Sequence, residues 1–378
     1  MQERTSMSIK ELKRFYIMQQ LRYKEIRQKQ AAEMMGISIR QVQRLVEQFE
    51  IKGEKGLVHG LRGRPSNRRL PECWKEWILR EYRQGYLGFG PTLASEKLKE
   101  GHDMPVHRET LRRWLLEKGL WQRQRKSRNH HRRWRHRRAC YGEMVQVDGS
   151  HHDWFEGRGP KAVLMAYVDD ATGEVFARFY DHEGTRPALD GLRSYIRKHG
   201  IPATLYMDRH RAYGHGVKSA FGEVLNRLGI RLITAHSPQA KGRVERLFKT
   251  LQDRLVKEMR LQRIKTLEQA NQWLPTFLKT HNARFRKPPE RSGNFHEPLP
   301  RHTNLDSIFS IRRLSFLRND NTVCYKNQLY QMLDRWKDSR AKKIQVEERL
   351  NGSIRFTYRG RKLSYQTLKP TVAMKKAA

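Results

Sequence analysis

Cysteine is scarce in this chain. Cys73, Cys140 and Cys324 are the 3 among 378 residues, and none forms a C-x-x-C pair. That excludes a zinc ribbon and a disulfide framework and leads us to expect reduced thiols in a cytoplasmic protein. Long apolar runs are missing: none approaches the ~20 residues needed to span a bilayer. Met1-Gln2-Glu3-Arg4 is not followed by the apolar stretch of a secretion signal, so no membrane partner is expected. There is no G-x-x-x-x-G-K-[ST] phosphate loop, so no ATP cradle is expected. Acid is scarce too, with 39 Asp plus Glu against 78 Lys plus Arg.

What is present is a formal net charge of +39, more than solubility requires. It predicts salt-sensitive binding to a polyanion through phosphate contacts and counterion release. An RNA-packaging protein would share that charge, but such chains seldom carry strands ending in single, well-spaced carboxylates.

The length allows two or three domains. Residues 1–55 read as a helix-turn-helix unit: Ser8 caps a first helix, Gly36 breaks a second, and Ser38 caps a third. Ala32, Ile37, Val42 and Leu45 pack the helices together. Arg40, Gln41, Gln43 and Arg44 then face outward, where a recognition helix reads base edges. The competing reading is a helical hairpin with a solvated polar face. Residues 56–69 form a basic linker whose Arg62-Gly63-Arg64-Pro65 is similar to an AT-hook core, with Arg62 and Arg64 directed to a minor groove. A plain linker is the alternative. Residues 70–122 repeat the helix-turn-helix pattern, with Arg108, Arg112 and Arg113 as candidate DNA contacts. Residues 123–140 are a basic linker, with nine Lys or Arg and no acid between Arg123 and Arg138. Such a run repels itself and stays extended until it meets an anion.

Residues 141–285 alternate apolar strands with periodic helices, predicting an α/β domain with a mixed five-stranded sheet. A linker, 286–310, leads to short strand-like runs over 311–370 that predict a small β-barrel.

Three acids fall at informative places in the α/β segment. Asp148 ends the run Met144-Val145-Gln146-Val147, and Asp208 ends Ala203-Thr204-Leu205-Tyr206-Met207. Glu245 opens a helix whose apolar stripe is Val244, Leu247, Phe248, Leu251 and Leu255. The gaps are 60 and 37 residues, room for a hairpin plus crossover helix and then for a helix, a strand and a turn. Carboxylates are hard oxygen ligands suited to Mg²⁺. Lys241 and Lys249 lie one turn either side of Glu245 on the same helix face, placed to hold phosphate, with Arg243 beside them. Taken singly, each Asp is an ordinary turn residue and Glu245 belongs to a common surface charge ladder. Asp169 and Asp170, in a hairpin turn, read as structural acids away from the cluster.

The segments Gln146-Val147-Asp148-Gly149-Ser150, Tyr206-Met207-Asp208-Arg209-His210 and Ser237-Pro238-Gln239-Ala240-Lys241-Gly242-Arg243-Val244-Glu245-Arg246 resemble those of DDE transposases with a retroviral-integrase-type core, of the insertion-sequence kind often called ISNCY-like. The resemblance implies an RNase H-like fold, with Asp148, Asp208 and Glu245 as catalytic acids and metal ligands. It implies two Mg²⁺ ions, with Mn²⁺ able to substitute, roughly 3.5–4 Å apart. Asp148 would bridge them. Water would free a 3′-hydroxyl at the transposon end, and that hydroxyl would attack target DNA. Partners would be transposon-end DNA, target DNA and further copies of the chain, in a dimer or larger synaptic complex on the bacterial nucleoid. The His-His-Cys-Cys zinc module of retroviral integrases has no counterpart, so no zinc is expected. Two alternatives stay open: an inactive DNA-binding regulator, and an RNase H-like nuclease without strand transfer.

Overall fold

The computed structural model describes residues 7–63, 69–123, 135–208, 219–235, 242–334 and 342–368. They fall into two units, Met1–Arg80 and Glu81–Ala378.

In the first unit, helix α1 (Ile9–Arg22) begins with a capping box. The Ser8 hydroxyl accepts from the Glu11 amide, and the Glu11 carboxylate accepts from the Ser8 amide. Helix α2 (Gln28–Met35) stops at Gly36, whose φ of 64° is the left-handed cap that glycine reaches without strain. Ser38 then caps α3 (Ile39–Lys52), two residues after that stop. Ile17, Met18, Ala31, Ala32, Val42, Leu45 and Leu57 form the core. Ala32, Val42 and Leu45 are thus inward, as their spacing predicts. Helix α4 (Glu72–Gly85) runs across the boundary between the units.

In the second unit come α5 (Pro91–His102) and α6 (Arg108–Glu117), which bury Leu93, Ala94, Leu98, Leu111 and Leu115. The sheet follows. Strands β1 (Val145–His152), β2 (Ala162–Asp169) and β3 (Val175–Tyr180) form an antiparallel meander. Helix α7 (Thr185–His199) crosses to β4 (Thr204–Asp208), and α8 (Ala220–Arg227) leads to β5 (Arg231–Ala235). Strands β4 and β5 run parallel to β1, giving the order β3-β2-β1-β4-β5. This is the mixed five-stranded sheet the sequence predicts. One strand differs: β1 continues four residues past Asp148, because β2 pairs with it as far as His152.

Two helical layers cover the sheet. On one face Val145, Val147, Leu205 and Met207 pack with α7 and α8. On the other, Leu164, Ala166 and Phe179 pack with α9 (Gly242–Leu261) and α10 (Leu267–Phe285) through Val244, Phe248, Leu251, Leu255, Leu274 and Leu278. The β3 edge is closed by side chains. Asn282 accepts from the Val175 amide at 2.9 Å and donates to the Val175 carbonyl at 2.8 Å. Asn271 does the same to Phe179, at 2.8 and 2.9 Å. An edge satisfied in this way offers no ladder to another chain. Helix α5 is tied to the core by charge: Glu96 takes the guanidiniums of Arg254 on α9 and Arg284 on α10, and Lys97 meets Glu258 at 2.8 Å.

The chain ends with the single turn α11 (Leu305–Ile308) and strands β6 (Ile311–Phe316), β7 (Thr322–Tyr325), β8 (Gln328–Met332), β9 (Lys343–Glu348), β10 (Ile354–Tyr358), β11 (Arg361–Lys362) and β12 (Tyr365–Thr367). The predicted barrel does not form among the described residues. Instead a four-stranded sheet, β11-β10-β9-β6, faces a three-stranded one, β12-β8-β7, across a core of Val323, Tyr330, Ile344, Val346 and Phe356. Closure needs an unbroken ladder. Here β11 and β12 are two and three residues long and belong to different sheets.

Gly191 on α7 lies against Tyr167, whose hydroxyl donates to the Ala188 carbonyl at 2.7 Å. A Cβ at Gly191 would sit 2.6 Å from that hydroxyl oxygen. Gly191→Ala, normally stabilising in a helix, is therefore expected to destabilise by about 1–3 kcal/mol through overpacking. Urea denaturation checks this, and a neutral or stabilising result contradicts it. His281 on α10 is buried between Phe277 and Phe285, and burial lowers its pKa to about 4. The unfolded chain takes up that proton first, so His281 subtracts stability as pH falls from about 6.5 toward 4. His281→Phe should show a smaller loss of stability between pH 7 and pH 5 than the parent, and parallel losses would rule this out.

Candidate functional site

The centre of the site is the parallel pair β1–β4. Val145 lies opposite Leu205 and Gln146 opposite Tyr206, an offset of 60 residues. The same offset separates Asp148 from Asp208. The ladder ends at this pair, and Asp148 and Asp208 each follow it by two residues on neighbouring strands. Asp208 closes β4, and its side chain lies outside the described residues.

Strand alternation fixes the face. Val145 and Val147 are buried against α7 and α8. Gln146, Asp148 and Ser150 therefore belong to the opposite face, which α9 covers. Contact is direct one step beyond Asp148: the Gln252 amide on α9 donates to the Ser150 hydroxyl at 3.1 Å. Glu245 lies in the first turn of α9, half-buried, between Val244 and Phe248 of the apolar stripe. Asp148 is half-buried as well. Helix α9 thus packs on the face that carries Asp148, with Glu245 near its N-terminal end.

Asp170 lies in the same region, which sequence reasoning missed. Its side chain is 0% exposed. Its Oδ1 accepts from Gln146 Nε2 and from Arg135 Nη2, each at 2.6 Å, and pairs with Arg243 in the first turn of α9. Its Oδ2 accepts from the Arg138 amide at 2.8 Å. A buried carboxylate is tolerable only when paired and hydrogen-bonded in this way. Asp170, expected to be a structural acid away from the cluster, is not remote from it, because Gln146 is the same-face neighbour of Asp148. Arg135 lies 5.9 Å over the ring of Tyr206, two residues before Asp208. Asp169 is a separate turn anchor: it accepts from the Gly142 and Thr172 amides, and burial raises its pKa. Burial also lowers the pKa of Arg243. No local sequence pattern announces these contacts, since Asp170 lies 24 residues from Gln146 and 73 from Arg243.

The remaining candidates divide into exposed and engaged cations. Arg40, Gln41, Gln43 and Arg44 are exposed on α3, with Gln43 donating to Gln28 at 3.3 Å. Arg108 and Arg113 on α6 and Lys249 on α9 are exposed. Arg112 instead makes a two-pronged bond to Glu109 at 2.9 and 2.6 Å. Arg62 meets Glu11 at 2.7 Å. Arg64 and Lys241 lie outside the described residues. Among the described residues, a set without the Asp208 carboxylate, no three His, Cys, Asp or Glu side chains gather to hold a metal ion. No helix among them is long and apolar enough to cross a membrane.

Residues 20–72 match the family model described as "Winged helix-turn helix". A chain from Sinorhizobium fredii, provisionally named transposase y4bF, is 39% identical over 303 residues, which are 78% of this chain and 66% of that one. The transposase for insertion sequence IS1202 of Streptococcus pneumoniae is 28% identical over 341 residues, covering 78% and 72%. The chain thus spans slightly under two thirds of the first relative's length. Among solved structures, the catalytic core of BIV integrase matches at 21% identity and TM-score 0.31, covering 42% of this chain and 91% of that one. The HTLV-2 integrase core in complex with magnesium matches at 21% and 0.32, covering 39% and 91%.

Proposed function

From the premise that this chain is a relative of insertion-sequence transposases, we propose that it is a DNA transposase whose catalytic acids are Asp148, Asp208 and Glu245. The observation that carries the reading is the β1–β4 register. One offset of 60 residues relates both the paired strands and the two aspartates, and α9 covers the same face with Glu245 in its first turn. The reading keeps the sequence boundaries: DNA-binding units over 1–55 and 70–122, basic linkers over 56–69 and 123–140, the catalytic core over 141–285, and a linker over 286–310 before the β tail.

The donor set consists only of carboxylate oxygens, which fits Mg²⁺ or Mn²⁺ and not a thiolate-preferring metal. Asp148, Asp208 and Glu245 would hold the ions. When bound, such ions stabilise the attacking and leaving oxygens of an in-line displacement at phosphorus. The protein's share is positioning. Arg40, Gln41, Gln43 and Arg44 present donors and acceptors to base edges. Arg108, Arg113 and Lys249 hold phosphates, and each contact adds salt-dependent affinity without sequence information. Arg62, Arg112 and Arg243, already bonded to Glu11, Glu109 and Asp170, hold the protein's own carboxylates. Water attacks first and frees a 3′-hydroxyl at the transposon end. That hydroxyl then attacks a target phosphodiester, so each bond formed replaces one broken and no ATP is consumed. Two ends must be held together, which calls for a dimer or larger assembly on DNA in the bacterial cytoplasm.

Joining of a labelled transposon end to plasmid DNA tests this. Joining should require Mg²⁺ or Mn²⁺ and disappear in Asp208→Asn. Tight end binding without joining, or joining that survives Asp208→Asn, contradicts the reading. Arg44→Ala should weaken binding to the specific end by ~1–3 kcal/mol, the worth of a base-edge contact, with a smaller loss on random duplex. Equal losses on both would remove its reading role.

A further inference from the structure

A heavily bonded carboxylate near the proposed site is not one of its three acids. Asp170 gathers donors from three separate stretches of chain: Gln146 on β1, Arg135 and the Arg138 amide on the segment entering the core, and Arg243 on α9. Two of these partners lie two residues before proposed metal ligands. Gln146 precedes Asp148 by two residues on one strand face, a step of about 7 Å. Arg243 precedes Glu245 by two residues in the opening turn of α9. Arg243 also donates to the Arg135 carbonyl, so the helix end is fastened to the entering segment as well as to Asp170.

We propose that Asp170 is a positioning residue for the metal site: through Arg243 it sets the Glu245 end of α9 against the Asp148 strand. The inference rests on the acid-trio reading. One physical feature favours a positioning role over simple fold stability. The remainder of α9 already has an apolar stripe, Phe248, Leu251 and Leu255, that fixes its packing without Asp170. In the first turn Val244 supplies one apolar contact, and the Arg243 guanidinium held on buried Asp170 adds a directed bond to it. Asp170 also offsets part of the positive charge of Arg135 and Arg243, which would otherwise oppose a cation in the site.

The test is Mn²⁺ affinity of the DNA-free protein, read by electron paramagnetic resonance, alongside the melting temperature. In Arg243→Gln, where Asp170 keeps Arg135, Gln146 and the Arg138 amide, Mn²⁺ affinity should fall severalfold, up to the ~10-fold that loss of a ligand's own outer partner costs. The melting temperature should stay close to the parent's. Arg243→Lys, which keeps the charge facing Asp170, should recover most of the affinity. Asp170→Asn should match or exceed the Arg243→Gln loss, and if it fails to fold, the Arg243 pair decides. Unchanged Mn²⁺ affinity in Arg243→Gln, with Asp208→Asn losing it, overturns the positioning role alone. Equal Mn²⁺ affinity in the parent and Asp208→Asn overturns the metal reading, and this inference with it.

Discussion

Parallel pairing between β1 and β4 is the constraint on which the rest depends. It places two segments 60 residues apart on adjacent strands and gives them one register. A slip of one residue would turn every side chain of one strand to the other face. Val145 and Val147, or Leu205 and Met207, would then leave the α7–α8 core, at ~1.5–3 kcal/mol for each fully buried side chain. Hydrophobic burial on one face therefore specifies which polar residues occupy the other. The cores hold the register, and the register gives Asp148 its neighbours.

Charge is the second organising force, and it is handled locally. A formal excess of +39 would disrupt packing if the arginines nearest the core were unpaired. They are paired with few, well-buried acids: Asp170 with Arg135 and Arg243, and Glu96 with Arg254 and Arg284. Glu348 is shared by Arg186 and Lys326. Each acid serves more than one cation, so 39 acids can order a fold with 78 bases. Cations without such partners, as on the α3 face, remain available to phosphate.

Much of this was legible in the sequence because it is periodic. The continuous apolar run of β2, the alternation of β3 and the helical stripe of α9 follow from side-chain spacing, and Ser8, Gly36 and Ser38 mark helix ends by their own chemistry. The β tail shows where periodicity stops being informative. Strand-like spacing predicts strands such as Thr322–Tyr325 and Ile354–Tyr358, and these form. Spacing does not say whether the ladder closes, and the short β11 and β12 leave two separate sheets. Asp170 marks a second boundary. In sequence it is a turn acid between Asp169 and Ala171, and its partners come from distant segments, which only the folded chain brings together.

The central claim is that Asp148, Asp208 and Glu245 converge on one metal site. Fe²⁺ substituted for Mg²⁺ in the protein, with ascorbate and peroxide, generates hydroxyl radicals that cut the backbone within a few ångströms of the metal. Convergence predicts cuts in three short segments, around Asp148, Asp208 and Glu245, that vanish together in Asp148→Asn. Cuts confined to one of these segments, or centred on other acids such as Asp153 or Asp181, would contradict it.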